Sequence, residues 1–527
     1  MSRYAKRLQP MSVPLKAPLL VLALALPCWA GAQVFSGSLL DAVALTLRQD
    51  ASIASGRLQI AASQGQLLSA RAPFDTLWTA GVSQQKSFTP LPASGGAALD
   101  GSQLTYQAGM SQRLASGVVI NPTLSVSRLH DDATNYTAPS IGNVALNVLV
   151  PLRKGAGSGV VTAPITAAEL SLQASRNSYR HTQALAVVRT ANAYWDLVAA
   201  SQSLELASLA ESRAGGLLAN ARKLASADEI PRADLLKYEV RRVAQESDRL
   251  NAALQLSHAR QALSLAMNVP MDSLEATPRR LDAFPRAEDA RLALLDDPSA
   301  VARLLTGSTE RRADLRAAEH SLRAASTLAD AARRDSGTQL DLGFSVGYSG
   351  MTEGRAGVAT LGALGQPARG ANVGITLNFT LPSGDFERRG LILQRDAAAG
   401  QAQTDLEALR FRAGSDARAQ LDALRAAIAQ LDKASAQRRL QTTIFENEKR
   451  SYQAGLSTLL DLFTTESQLT AYLAGWVQAQ RSFAQALVLF RFQTASLLVQ
   501  GTDDLDDPQV HLLQAGSLTT LPQELNN

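Results

Sequence analysis

Residues Ala371–Leu381 read A-N-V-G-I-T-L-N-F-T-L, which sets Ala371, Val373, Ile375, Leu377, Phe379 and Leu381 on one face of a strand and Asn372, Gly374, Thr376, Asn378 and Thr380 on the other. Its 11 residues match the roughly 9–11 that a tilted strand needs to cross a bilayer, with lipid on one side and a wet lumen on the other. Working outward, Thr338–Ser349 repeats the pattern, with Leu340, Phe344, Val346 and Tyr348 against Asp341, Ser345 and Ser349. Leu104–Met110 does so again, and weaker copies lie at Trp78–Val82, Val118–Val126 and Val144–Val150. A soluble half-buried strand also alternates, so no single segment decides the matter. Six such segments embedded in long helical sequence predict a mainly α protein with transmembrane β-strands.

The N-terminus carries Arg3, Lys6, Arg7 and Lys16, an apolar run from Ala17 to Leu26, and Ala30-Gly31-Ala32. This is the pattern of a secretory signal peptide over residues 1–32, and the apolar run is too short for a spanning helix. Removing these four basic residues from the chain's 51 leaves 47 against 47 acidic residues. The mature protein is then formally neutral, which gives no support to a nucleic-acid partner. The single cysteine, Cys28, lies inside the leader. Lipid modification at Cys28 is the alternative to its removal, although Pro27 is a poor fit to the small residue expected before a lipidated cysteine. A mature chain without cysteine holds neither disulfides nor thiolate metal sites.

The remainder is Ala/Leu-rich helical sequence arranged twice. Expected are a first repeat over 33–268 (a helix from Leu39 to Ala72, strands within 76–152, a helical hairpin over 162–268) and a linker over 269–299. A second repeat over 300–500 (a helix from Ala300 to Arg334, strands within 338–382, a hairpin over 387–498) and a mobile tail over 501–527 complete the chain. Asp234 aligns with Asp461, and Glu239 with Glu466, which marks an internal duplication. Helices of some sixty residues would run on the order of 95 Å at ~1.5 Å per residue, and such helices need partners. In the last one, Leu459, Leu462, Glu466, Leu469, Leu473, Val477, Gln480, Ala484 and Leu487 recur at spacings of three and four. That is a coiled-coil seam, in which Glu466 and Gln480 imply a polar or wet contact.

No chemical motif survives its context. Gly343-Phe344-Ser345-Val346-Gly347 matches the G-x-S-x-G nucleophile pattern but sits inside an alternating strand rather than on a strand-to-helix turn, so small residues relieving crowding is the better reading. Gly155-Ala156-Gly157-Ser158-Gly159 joins a strand to a helix, yet has neither the dinucleotide spacing nor the Lys-Ser/Thr ending of a phosphate loop, and reads as a flexible turn. His130, His181, His258, His320 and His511 are scattered, without metal-ligand spacing. No enzyme activity, cofactor or metal is expected.

The breaks between paired helices are more informative. Gly455 stands where one helix must end, and Asp461 falls in the first turns of the next, where its charge suits the helix dipole. Capping alone accounts for the glycine, while acids near a hairpin tip could also line an opening.

At these residues the sequence resembles the TolC-like outer-membrane efflux protein family. Its tip pattern, approximately R-x-Y-x-x-G-x-x-x-x-x-D, is met by Arg450, Tyr452, Gly455 and Asp461, and Arg312-Ala313-Asp314-Leu315 resembles the family's opening of the second half. The resemblance implies a homotrimer sharing one outer-membrane β-barrel, continued as an α-helical coiled-coil tunnel through the periplasm of a Gram-negative bacterium. It also implies a passive exit duct working with a periplasmic adaptor (membrane-fusion) protein and an inner-membrane pump of the resistance-nodulation-division, ABC or a similar type. By position, Asp234 and Tyr452 would form a closing link at the periplasmic aperture, and Asp461 would join a ring of carboxylates that attracts cations and raises carboxylate pKa values. Asp228 and Glu229 would add negative charge there. The sequence departs from the family in placing Asp228 where the second tip has Gly455, and Ser457 where some members place Arg.

Four strands in the first half against two in the second allow 12 or 18 strands per trimer. The expectation taken is 12, with the extra hairpin outside the core barrel. Two other classes compete: a soluble periplasmic coiled-coil protein, against which the lipid-facing strand 371–381 argues, and a hydrolase using Ser345, which would need a histidine and an acid converging on that serine.

Overall fold

The computed structural model describes residues 35, 37–90, 98–131, 140–275, 281–287, 301–302, 305, 307, 310–335, 337–352, 362–365 and 371–498. The expected leader and C-terminal tail, and much of the linker, lie outside the described residues.

Counting helices of ten residues or more, the described chain runs α1 (Leu39–Gln49), α2 (Ala51–Arg71), strands β1 (Leu77–Pro90), β2 (Ala98–Arg113), β3 (Val119–Asp131) and β4 (Ser140–Pro151), then α3 (Ala163–Ser226) and α4 (Leu235–Met267). The second half runs α5 (Ala313–Arg334), β5 (Gln339–Thr352), β6 (Asn372–Thr380), α6 (Phe386–Gln453) and α7 (Leu459–Gln493). The fold is mainly helical with one antiparallel sheet. The single helix expected from Leu39 to Ala72 is two, because the Asp50 carboxylate accepts from the backbone N–H groups of Ser52 and Ile53 at 2.7 and 3.3 Å and starts a new helix. Arg189 of α3 holds that carboxylate at 3.0 Å.

α3 has 64 residues and α6 has 68, so each runs about 100 Å at ~1.5 Å per residue. The first half of α3 packs with α2 and α5 and that of α6 with α5, and their second halves form antiparallel hairpins with α4 and α7 respectively. The main core lies midway along α3, where Tyr194 and Trp195 are fully buried among residues of α1, α4 and α7. The Tyr194 hydroxyl donates to the Gly37 carbonyl and accepts from the Asp282 backbone, each at 2.8 Å, and Trp195 stacks on Phe284 at 5.4 Å. Burial raises the Tyr194 pKa above its ordinary value. At the head of α5, Arg312 grips Asp314 through two hydrogen bonds of 3.1 and 2.7 Å and also reaches Gln493 at the end of α7. Burial pushes the Asp314 pKa up, but the bonds and charge of Arg312 outweigh it and the net direction is down.

All six strands form one sheet in chain order, β1 to β6, with every neighbour antiparallel. The hairpin expected to lie outside the core barrel is continuous with the sheet within this chain: β1 through β4 are joined by continuous ladders, and β4 carries β5 from Ser140↔Thr352 to Pro151↔Asp341. The ladder registers put one apolar face across the sheet. Trp78 faces Met110 and Val82 faces Tyr106 on β1–β2; Leu124 faces Val144 on β3–β4; Leu146 faces Val346 on β4–β5; Phe344 faces Ile375 on β5–β6. The other face is polar or small along its middle, from Thr79 to Gln85 on β1 and from Gly343 to Ser349 on β5. On it, a Cβ at Gly347 would stand 2.2 Å from the Val144 carbonyl oxygen, and one at Gly343 2.4 Å from the Thr376 hydroxyl. Ser345, between them, donates to the Gly374 carbonyl at 3.4 Å, which is the strand reading of this motif rather than the catalytic one.

Candidate functional site: the helical hairpin tips

The two hairpins turn by the same device. At the end of α3, Asp228 adopts φ +56°, the Glu229 N–H donates to the Leu224 carbonyl at 2.9 Å, and the Asp228 N–H donates to Ala225 at 3.3 Å. At the end of α6, Gly455 adopts φ +75°, Leu456 N–H donates to Ser451 at 2.9 Å and Gly455 N–H to Tyr452 at 3.0 Å. Both are Schellman caps, in which a left-handed residue lets the chain close the last helical carbonyls. Asp228 therefore stands in for glycine at some cost in backbone energy, since aspartate tolerates this region better than most residues.

The return helices start differently. Arg232–Asp234 forms a single 3₁₀ turn before α4. Thr458 caps α7: its hydroxyl accepts from the Asp461 N–H at 3.2 Å while the Asp461 carboxylate accepts from the Thr458 N–H at 3.1 Å, a reciprocal capping box. The side-chain and then the backbone hydrogen bonds from Thr458 hold the exposed Asp461 carboxyl below its ordinary pKa. Within one chain this is opposite to the upward shift expected of a carboxylate ring.

Behind the turns, Leu218, Ala221, Tyr238, Leu459 and Leu462 are buried together, with Tyr452 and Phe463 packed against them. Tyr238 meets Phe463 edge-on at 5.9 Å. The expected closing link is not formed inside the chain. Asp234 pairs with Lys237 at 2.8 Å, raising the lysine pKa chiefly by that hydrogen bond, while Tyr452 lies in the apolar cluster. Asp228, Glu229 and Asp461 are exposed around the tips.

A cluster of which the sequence reading singled out the acid but not its arginine partners lies about two turns above the tip. Glu466 of α7, 2% exposed, accepts from Arg213 Nε of α3 at 2.9 Å and from the Thr470 hydroxyl at 3.0 Å, with Arg241 of α4 at 3.8 Å. Arg241 also donates to Ser467 at 2.9 Å and lies over the Phe463 ring at 5.5 Å. One carboxylate thus ties the second hairpin to both helices of the first. Glu239, its counterpart in the duplication, instead makes a half-exposed pair with Arg222 at 3.0 Å. An acid in a seam signals that a counter-charge is needed, but Arg213 lies 253 residues away in sequence, and nothing local names it.

The arrangement at the tips offers hydrogen bonds and charge. Among the described residues no helix is long and apolar enough to cross a membrane, and no cluster of His, Cys, Asp and Glu could hold a metal.

Residues 304–492 match the family model described as outer membrane efflux protein. No curated protein matches the chain by sequence. Among solved structures it is similar to the CmeC outer membrane channel of Campylobacter jejuni (TM-score 0.64, 16% identity, 88% of this chain and 87% of that one). VceC of Vibrio cholerae gives 0.62 at 15% identity over 87% and 96% of the two chains, and the open MtrE channel of Neisseria gonorrhoeae 0.60 at 18% over 87% and 88%. These neighbours share the fold along nearly their whole length.

Proposed function

We propose that three copies of this chain form a passive exit duct of the efflux type through the outer membrane of a Gram-negative bacterium. An inner-membrane pump supplies the energy, and a periplasmic adaptor docks at the hairpin tips. The observation that carries this reading is a sheet with one apolar face of bilayer-crossing strand length joined in the same chain to helices of about 100 Å. Six strands cannot close even the smallest common barrel of eight, so the sheet needs copies of itself. The tips are the periplasmic aperture. Brought around a threefold axis, Asp461, Asp234, Asp228 and Glu229 would set carboxylates about the opening, favour cations and slow anions. Gly455 makes the tight turn that allows this, and Tyr452 contributes from the apolar cluster behind it.

Planar-bilayer conductance of the purified protein, with its mass in detergent measured on the same preparation, tests the reading. A trimer with small, cation-selective conductance is expected. A monomer that stays out of the membrane and conducts nothing would leave only a periplasmic scaffold.

A further inference from the structure

Among the described residues, both edges of the sheet, β1 and β6, lack a neighbour within the chain. We propose that β6 of one copy pairs antiparallel with β1 of the next, so that all six strands of each copy stand in the wall and three copies close an 18-stranded barrel. The count of copies rests on the exit-duct reading above; the number of strands per copy does not.

Three observations select this occupant for the edges. First, the apolar face reaches both of them. Trp78, Ala80 and Val82 carry it on β1, and Val373, Ile375, Leu377 and Phe379 carry it on β6 with the last four 62–71% exposed. An open edge at that depth would leave backbone N–H and C=O groups in hydrocarbon, each costing several kcal/mol, so the edges must be paired where the belt crosses lipid. Second, six strands that alternate in direction leave β1 running away from the helices and β6 running back towards them. An even number per copy makes the β6–β1 junction antiparallel, as in every other ladder of the sheet.

Third, the strands of the first half bear the same belt at the same height. Met110, Ala108 and Tyr106 on β2 stand beside Trp78, Ala80 and Val82, and Ala108 and Tyr106 stand beside Leu124 and Val126 on β3. Beyond it the same face turns polar at Gln84 and Lys86 of β1 and, on the far side of Leu104 of β2, at Arg128 of β3, which faces Ser140 of β4. A hairpin set outside the wall would have no reason to share these boundaries. Barrel diameter grows roughly in proportion to strand number, so 18 strands in place of 12 widen the outer-membrane section about 1.5-fold.

Cysteine cross-linking separates the two walls, since Cys28 is the chain's only cysteine. Thr376→Cys on the polar face of β6 is combined in turn with Thr79→Cys, Ser83→Cys or Gln85→Cys on β1, and in parallel with Thr123→Cys, Ser125→Cys or Ser127→Cys on β3. Directly opposed side chains of neighbouring strands have Cβ atoms about 4.5–5.5 Å apart, close enough for oxidation to join them. The expected result is loss of the monomer band to dimer and trimer bands for at least one β1 pair, with the β3 pairs remaining monomeric on a non-reducing gel. Cross-linking through β3, or through neither strand, overturns the 18-stranded wall. If the protein giving that result is still an outer-membrane trimer, the exit duct stands and only the strand count falls; a monomer outside the membrane removes both.

Discussion

Glu466 is the residue whose loss should separate the two hairpins. Its carboxylate is 2% exposed, whereas Arg213 and Arg241 keep 30% and 21% of their side chains in water. Removing one member of a fully enclosed ion pair costs about 3–5 kcal/mol. Here both arginines can rehydrate, so the loss is smaller: essentially the charge-assisted bond from Arg213 at 2.9 Å, worth about 1.5–3 kcal/mol. Glu466→Gln conserves volume and should therefore destabilise by roughly 2 kcal/mol. The Arg213→Met, Glu466→Gln double-mutant cycle should show a coupling of about 1–2 kcal/mol. Arg241 stands farther from the carboxylate, at 3.8 Å, and is held independently by Ser467 and Phe463. Arg241→Met in the same cycle should couple by less than half as much. The assay is equilibrium urea unfolding of the detergent-solubilised protein, followed by far-UV circular dichroism, with limited proteolysis of the tips as a local readout. A coupling for Arg213 below about 0.5 kcal/mol, or one equal to that of Arg241, would refute the assignment of Glu466 as the tie between hairpins.

Other expectations follow from single contacts. Gly347→Ala would press a methyl to within 2.2 Å of the Val144 carbonyl oxygen, so strands β4 and β5 must part at a cost of about 1–3 kcal/mol, read as reduced heat-stable trimer in outer-membrane fractions. Thr458→Ala removes the N-cap of α7 and should cost about 1 kcal/mol in unfolding experiments, while returning the Asp461 carboxyl towards its ordinary pKa. Gly455→Ala forces a Cβ into the left-handed region and should lose about 1 kcal/mol. His181, tilted against Phe492 at 5.7 Å, is held below its ordinary pKa of 6.5 mainly by burial. The unfolded chain then binds the extra proton more readily, so stability present above pH 6.5 is lost as pH falls from there towards the folded pKa; His181→Gln should flatten that slope in pH-dependent melting. Asp461→Asn should weaken cation preference in bilayer recordings if the tips are the aperture, and unchanged selectivity would count against a carboxylate ring there.

Local patterns were legible in the chain because their physics is local. Alternation at period two marked every strand, since a strand that faces lipid on one side and water on the other must alternate wherever it goes. The Ala/Leu helices, the turn at Gly455 and the polar character of Glu466 in its seam could be read in the same way. Strand lengths could not: β1 continues to Pro90, past Gln84 and Lys86, where the polar residues end the apolar signal but not the hydrogen-bonded ladder. The break at Asp50 escaped notice because an N-cap and a mid-helix aspartate look alike until the side chain turns to the backbone.

Pairing over long separations belonged to the folded molecule alone. Whether the extra hairpin of the first half joins the sheet depends on the β2–β3 and β4–β5 ladders, and the second of these joins residues some two hundred positions apart. The site shows the same division. Asp461 and Gly455 sit where the helix ends demanded, yet Asp234 turned to Lys237 rather than Tyr452, and Glu466 drew its arginines from the other hairpin. Periodicity, capping and charge specify what each segment can become, because they act within a turn or two of the chain. Which buried charge meets which counter-charge, and which strand edge meets which, is a matter of packing between segments, and only the assembled helices and sheet bring those partners within reach.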